Sequence, residues 1–174
     1  MTQPNPSATG DAQQERLKRG ARTSLDTRRQ FRGTVVRATP ERVIVAFPGT
    51  EDLDKKLTDA GAGEAHLVFR IGRRAAPLDL AVLVFLNTPE AEAATPTTRG
   101  FAGSVAFFEH DEHAGHGRAP YRLPLTATLK QVGGPAALTA TFVPVAFPGR
   151  TSTPQTLDVT ATVHLVRSTV ERNK

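Results

Sequence analysis

The sequence contains no cysteine, and that absence excludes disulfide bonds, thiolate metal sites and cysteine nucleophiles together. It has no tryptophan and one tyrosine beside nine phenylalanines, so an aromatic platform for stacking sugars or single-stranded nucleic acid is not expected. No apolar run reaches the about 18 residues that a membrane-spanning helix needs. The N-terminus lacks the apolar core of a secretory signal, so we expect a soluble cytoplasmic protein, with co-export beside a partner as the alternative.

The net charge of +5 is concentrated at the N-terminus. Residues 1–33 hold seven Lys and Arg against three Asp and Glu, a net +4 that leaves +1 for residues 34–174. A basic tail that contains Pro and Gln is typical of a solvated, disordered segment, whereas a nucleic-acid arm would need base-reading residues in the nearly neutral body. We therefore predict a disordered basic tail at residues 1–33 and one folded domain at residues 34–170.

Beyond the tail, apolar and polar residues alternate with the period of a β-strand. In "YRLPLTATL" (121–129), Tyr, Leu, Leu, Ala and Leu alternate with Arg, Pro, Thr and Thr. Residues 50–65 are predicted to form a polar connection with about one helical turn, and residues 87–99 are predicted to form a long loop. The pattern predicts a single antiparallel β-sandwich, jelly-roll-like, without a helix of more than a few turns. The strand at 78–86 is apolar on both faces, so we expect it at the centre of a sheet. The predicted strands are 34–47 (two strands with a turn at Thr39-Pro40), 66–71, 78–86, 100–109, 121–129, 138–145 and 157–166.

Three of the five histidines, His110, His113 and His116, fall within seven residues. Residues three apart on a strand face opposite sides, so these imidazoles cannot chelate one ion from a strand. The glycines and the proline nearby favour a curled loop, in which imidazoles can converge on copper, zinc or nickel. The alternative is a hydrophilic hairpin loop that binds nothing.

The other two histidines give no catalytic constellation. His66 opens a strand and reads as an edge residue, and His164 falls on the polar face of its strand and reads as a surface residue. No nucleophile–base or acid–base pair can be assigned roles, so an enzyme is not predicted.

A family resemblance rests on the order of several short segments. "LDL" with Asp79 precedes a Pro-rich loop, and then come Phe101-Ala102-Gly103-Ser104, the pair Phe107-Phe108 and His110. Over about residues 66–166 this resembles the C-terminal β-domain of tyrosinases and polyphenol oxidases, which is named for a Lys-Phe-Asp-Val tetrapeptide. "PLDL" (77–80) stands in the place of that tetrapeptide and keeps its Asp.

The resemblance implies a role without catalysis. In that family the oxidase activity lies in a separate helical domain with six copper-binding histidines, and the β-domain covers the entrance to the dicopper pocket. The implied function is an accessory shielding protein for a tyrosinase-like dicopper oxidase, similar in role to caddie proteins. Phe101 is then the candidate side chain that plugs the partner's active site. Copper would be held transiently by His110, His113 and His116 for delivery, and neither nucleic acid nor a membrane is an expected partner. The alternative is a free-standing copper- or metal-binding β-sandwich with no oxidase partner.

Overall fold

A computed structural model describes residues 27–72, 80–90, 95–107, 120–149 and 155–167. These ranges contain strands β1 (Thr27–Arg32), β2 (Thr34–Ala38), β3 (Val43–Phe47), β4 (Glu64–Ile71), β5 (Leu80–Leu86), β6 (Phe101–Phe107), β7 (Tyr121–Pro124), β8 (Leu138–Ala146) and β9 (Val159–Val166), with helices α1 (Leu53–Asp59) and α2 (Thr126–Val132). No helix in this part of the chain is long and apolar enough to cross a membrane.

The strands form two sheets, which confirms the predicted all-β sandwich. One sheet has four strands in the order β1-β9-β4-β7, and the other has five in the order β2-β3-β8-β5-β6. Every pair of neighbouring strands is antiparallel. The chain passes from one sheet to the other at Gly33, where a side chain would collide with Val45 and Phe47. Glycine is therefore required at this crossing.

The core lies between the inward faces of the two sheets. Phe142 on β8 contacts Phe69 on β4 edge-to-face, with ring centroids 5.2 Å apart. Strand alternation places every second residue in this layer, and burying each large apolar side chain contributes about 1.5–3 kcal/mol. The largest fully buried side chains are Phe47, Phe69, Phe85, Phe142, Leu67, Leu86, Leu125, Leu165, Val43, Val45, Val82 and Val84.

The predicted strand at 121–129 is wrong beyond Pro124. Only Tyr121–Pro124 is a strand, and α2 follows over Thr126–Val132. Proline has no N–H to continue the ladder with β4. Leu125 and Leu129 are nevertheless buried as expected, because residues four apart share a face of a helix just as residues two apart share a face of a strand.

Two further boundaries differ from the sequence prediction. β1 lies inside the range assigned to the tail: Thr27–Arg32 pairs with β9, and Phe31 is buried. The sandwich thus begins at Thr27, seven residues before the predicted start. α1 spans seven residues, about two turns where one was expected.

Candidate interaction surface

Phe101 lies on β6, at the edge of the five-stranded sheet, and faces away from the core. Its cross-strand partner is Phe85 on β5, and the two ring centroids are 5.6 Å apart. Phe85 and Leu83 form a second apolar cluster, separate from the main core, against which Phe101 and Val143 pack. Phe101 itself is half-buried. The outer face of this sheet therefore carries an aromatic ring on a buried apolar base. We call Leu83, Phe85, Phe101 and Val143 the Phe101 surface.

A β-bulge decides which way Phe101 points. Gly103 pairs with Val84, and Phe101 pairs with the next residue, Phe85, so that Ala102 is the extra residue on β6. Gly103 faces inward, where a side chain would press on Leu123 of β7. Strict alternation from Gly103 would turn Phe101 inward as well. The bulge shifts the count by one and places the ring on the outer face.

The backbone at Phe101 is held on several sides. Its N–H donates to the Thr98 carbonyl at 3.1 Å, and its own carbonyl accepts from the Thr128 hydroxyl of α2 at 3.2 Å. Gly100 has φ +87°, and its carbonyl accepts from the Leu86 N–H at 2.8 Å. A side chain at position 100 would collide with the Leu86 carbonyl and Thr88. These contacts fix the position from which the ring projects.

Hydrogen bonds hold the first residues of the loop after β5 against the sheet. Asn87 accepts from the Thr139 N–H at 2.9 Å and donates through its amide to the Val132 carbonyl at 3.0 Å. The buried Arg42 donates to the Pro89 carbonyl at 2.6 Å, and its guanidinium lies 4.0 Å from Glu90. The rim of the Phe101 surface is thus supported by hydrogen bonds to β8, α2 and the β2–β3 turn.

The predicted metal ligands fall outside the described residues. His110, His113 and His116 lie within 108–119, as does Phe108, and Asp79 lies within 73–79. Across the ranges that the structure describes, no three His, Asp or Glu side chains come together as a group able to hold a metal ion.

His66 and His164 lie on the four-stranded sheet. The expectation of an edge position for His66 is wrong, because β4 lies between β9 and β7. His164 is on the outward face as predicted, but it is half-buried. Burial lowers the pKa of His164, and the positive charge of Arg122 and the neighbouring His66 lower it further. Sequence reasoning took the two rings separately and missed that they face each other.

The bulge could have been found from the sequence. Ala102, Gly103 and Ser104 are three small residues in a row at the start of β6, and glycine within a strand often marks a bulge. In the structure, the side chain of Leu123 lies against Gly103.

Comparisons with known proteins give structural matches only. No family model matches the chain, and no curated protein matches it. The chain is similar to recombinantly expressed latent aurone synthase, a polyphenol oxidase, with a TM-score of 0.44, 19% identity, and coverage of 77% of this chain and 26% of that chain. The same enzyme from its natural source gives a TM-score of 0.42 and 18% identity, with coverage of 84% and 28%.

The match involves a small part of the enzyme. This chain spans about a quarter of the length of the latent aurone synthase chains.

Proposed function

We propose that this protein is a non-catalytic shielding protein for a tyrosinase-like dicopper oxidase and covers the mouth of its active site with the Phe101 surface. The observation that carries the proposal is the half-buried Phe101 ring, which packs at a tilt against Phe85 and projects from a hydrogen-bonded backbone. The segment Phe101-Ala102-Gly103-Ser104 is also the most specific part of the resemblance to the covering domain of polyphenol oxidases.

The physical properties of the Phe101 surface suit a plug. An aromatic residue that is already held in one orientation loses little conformational freedom on binding, so more of its contact energy appears as affinity. Val143 beside it is half-buried, and Val145 is 40% exposed further along β8 on the same face. Apolar neighbours around a central aromatic ring exclude water from the contact. A phenol-binding pocket, which accepts aromatic rings, is the kind of cavity that such a surface fits.

The residues around Phe101 support the assignment as non-catalytic. The side chains that surround it are Phe, Leu and Val, with threonine hydroxyls in hydrogen bonds to backbone carbonyls. Such groups can neither transfer a proton at neutral pH nor hold a copper ion. We assign copper delivery to His110, His113 and His116, because three imidazoles on a Gly-bearing segment suit reversible binding.

The shielding role is tested by co-expression with a tyrosinase-type dicopper oxidase. We expect an inactive complex whose diphenol oxidation appears only after the two chains are separated or cleaved. An oxidase that is fully active in the intact complex would contradict the proposal. If activity instead rises in proportion to the copper supplied and no complex forms, the protein is the free-standing copper-binding sandwich, the second candidate function.

The plug is tested by Phe101→Ala in the same complex. Removing the ring is expected to make the oxidase active without dissociation, while the thermal transition of the free sandwich confirms that it remains folded. Val36→Ala is the matched control, because Val36 is 61% exposed on β2 at the opposite edge of the same sheet. Equal latency of the Phe101→Ala and wild-type complexes would remove Phe101 from the plug role and leave the covering role to another residue.

Copper delivery is tested by the triple variant His110/His113/His116→Ala. We expect a folded chain that still forms the complex but loads the oxidase with less copper, measured as copper per oxidase chain. Full loading by this variant would show that the segment is a hydrophilic hairpin with no part in delivery.

A further inference from the structure

His66 and His164 are direct cross-strand partners in the four-stranded sheet. Their neighbours along each strand, Ala65 and Leu67 on β4 and Val163 and Leu165 on β9, are all buried in the core. Both imidazoles therefore stand on the outward face. Directly opposed residues of an antiparallel pair have Cβ atoms about 4.5–5.5 Å apart, so the two rings are neighbours. They are also on a different sheet from the Phe101 surface.

Each ring has one nitrogen beside an oxygen atom. Nε2 of His66 lies 3.0 Å from Oε2 of Glu64, and Nδ1 of His164 lies 3.4 Å from Oγ1 of Thr27. The tautomers that donate to these oxygens leave Nδ1 of His66 and Nε2 of His164 with lone pairs. Histidines that bind metals are held in this way, with the second ring nitrogen donating to a carboxylate or another oxygen.

The strands fix the spacing of the pair. β4 and β9 pair without interruption from Glu64↔Val166 to Ile71↔Val159, and each has a further strand on its other side. The side chain of His66 is only 15% exposed. Two imidazoles at a set spacing on rigid strands need little rearrangement to share an ion.

We propose that His66 and His164 form a two-imidazole binding site for a divalent transition-metal ion, with copper(II) bound more tightly than nickel or zinc. Imidazole ligands select these ions over magnesium and calcium, and copper(II) is the most tightly bound of the divalent series. Since the described residues offer no third ligand, water completes the coordination. The site uses histidines other than His110, His113 and His116 and does not depend on the shielding role.

Charged neighbours on the same face tune the affinity. Glu64 lies two residues before His66 and holds its Nε2. Arg122 on β7 pairs with Val68, and Pro124 pairs with His66, so Arg122 is a diagonal neighbour of His66 on the outward face. Its positive charge opposes a bound cation. Arg70 is on this face of β4 as well but about 13 Å further along, at about 3.3 Å per residue.

The site is tested by titrating copper(II) into the untagged full chain that carries His110/His113/His116→Ala, in which His66 and His164 are the only remaining histidines. We expect one equivalent of copper to bind, with an electron paramagnetic resonance spectrum showing two nitrogen ligands. Adding His66→Gln or His164→Gln should remove this binding while circular dichroism remains that of the sandwich. Absence of copper binding by the folded triple variant, or unchanged binding after His66→Gln and His164→Gln, would overturn the proposal.

Three single substitutions in the triple variant check the placement of the ion. Glu64→Gln is expected to weaken copper binding about 10- to 100-fold, since it removes the carboxylate that orients His66. Arg122→Gln is expected to tighten binding, and the charge-matched control Arg70→Gln should change it less. Unchanged affinity in Glu64→Gln, or equal effects of the two arginine substitutions, would show that copper does not bind between these histidines.

Discussion

The hydroxyl of Thr50 joins the end of β3 to the start of β8. It donates to the Phe47 carbonyl at 2.6 Å and accepts from the Leu138 N–H at 2.7 Å, and the residue is buried. Thr50→Val keeps the shape but leaves both backbone groups without this partner, which is expected to cost about 1–3 kcal/mol. Urea unfolding measures the loss. Thr50→Ser, which keeps the hydroxyl, should lose less, and an equal loss in both variants would place the cost in packing instead.

Glu41 lies in the turn between β2 and β3. A hydrogen bond from the Thr39 side chain lowers the pKa of Glu41, with help from its own backbone N–H and the charges of Arg42 and Arg37. Because this pKa is lowered in the folded protein, its contribution to stability is present above the ordinary value of about 4.3 and is lost as the pH falls through the folded value. Thr39→Val should raise the pKa of Glu41 towards that ordinary value, as followed by carboxyl ¹³C shifts. If the pKa of Glu41 is unchanged in Thr39→Val, its lowering is due to the backbone N–H and the two arginines and not to Thr39.

At the scale of the element, β6 depends on Gly103. Residues that carry a side chain rarely adopt its φ of +154°, and a Cβ added at this position would lie 2.8 Å from the Leu123 side chain. Gly103→Ala is therefore expected to destabilise the fold by about 1–3 kcal/mol, as measured by urea unfolding. Leu123→Ala added to it should relieve the contact but not the backbone strain. Gly134 provides the control, because a Cβ there meets nothing within 4 Å, and a similar loss in Gly134→Ala would contradict this explanation.

Element boundaries show what the sequence could predict and what it could not. β8 and β9 were found almost to the residue, because their alternation continues to both ends. α2 was missed because Leu125 and Leu129 satisfy a strand pattern as well as a helical one, and four residues of true strand precede it. Phe101 could be singled out as a candidate from its residue type and its segment. The direction of its side chain could not be predicted, because a bulge interrupts the alternation on which that prediction depends.

At the scale of the whole molecule, β1 completes the four-stranded sheet. Phe31 is 7% exposed, and the guanidinium of Arg29 lies 5.0 Å from the centre of its ring. A chain that starts at Thr34 lacks β1 and should unfold at much lower urea concentration, whereas one that starts at Thr27 should keep its full transition. Phe31→Ala in the full chain is expected to cost about 3 kcal/mol or more. Equal stability of the two shortened chains would mean that β1 contributes nothing.

The two-layer architecture was predictable, and the pairing between strands was not. Turn residues and alternation identify strands one at a time. Which strands become neighbours depends on contacts between distant segments, as for His66 and His164, which are 98 positions apart in the numbering yet opposite each other in the sheet. The tail boundary failed for the same reason: a short basic strand such as Thr27–Arg32 gains its stability from β9.

The bulge at Ala102 determines how the exposure of Phe101 responds to a deletion. Loss of the codon for Ala102 would remove the extra residue and bring Phe101 next to Gly103, still opposite Phe85. Because neighbouring residues on a strand point to opposite faces, the ring would stay on the outer face. Fluorine NMR of a fluorophenylalanine at this position should therefore show the same solvent-isotope shift with and without Ala102. A lost shift would show that β6 had slipped by one residue against β5. The binding face of this protein thus tolerates a deletion at the bulge, a kind of mutation that comparisons of substituted residues do not register.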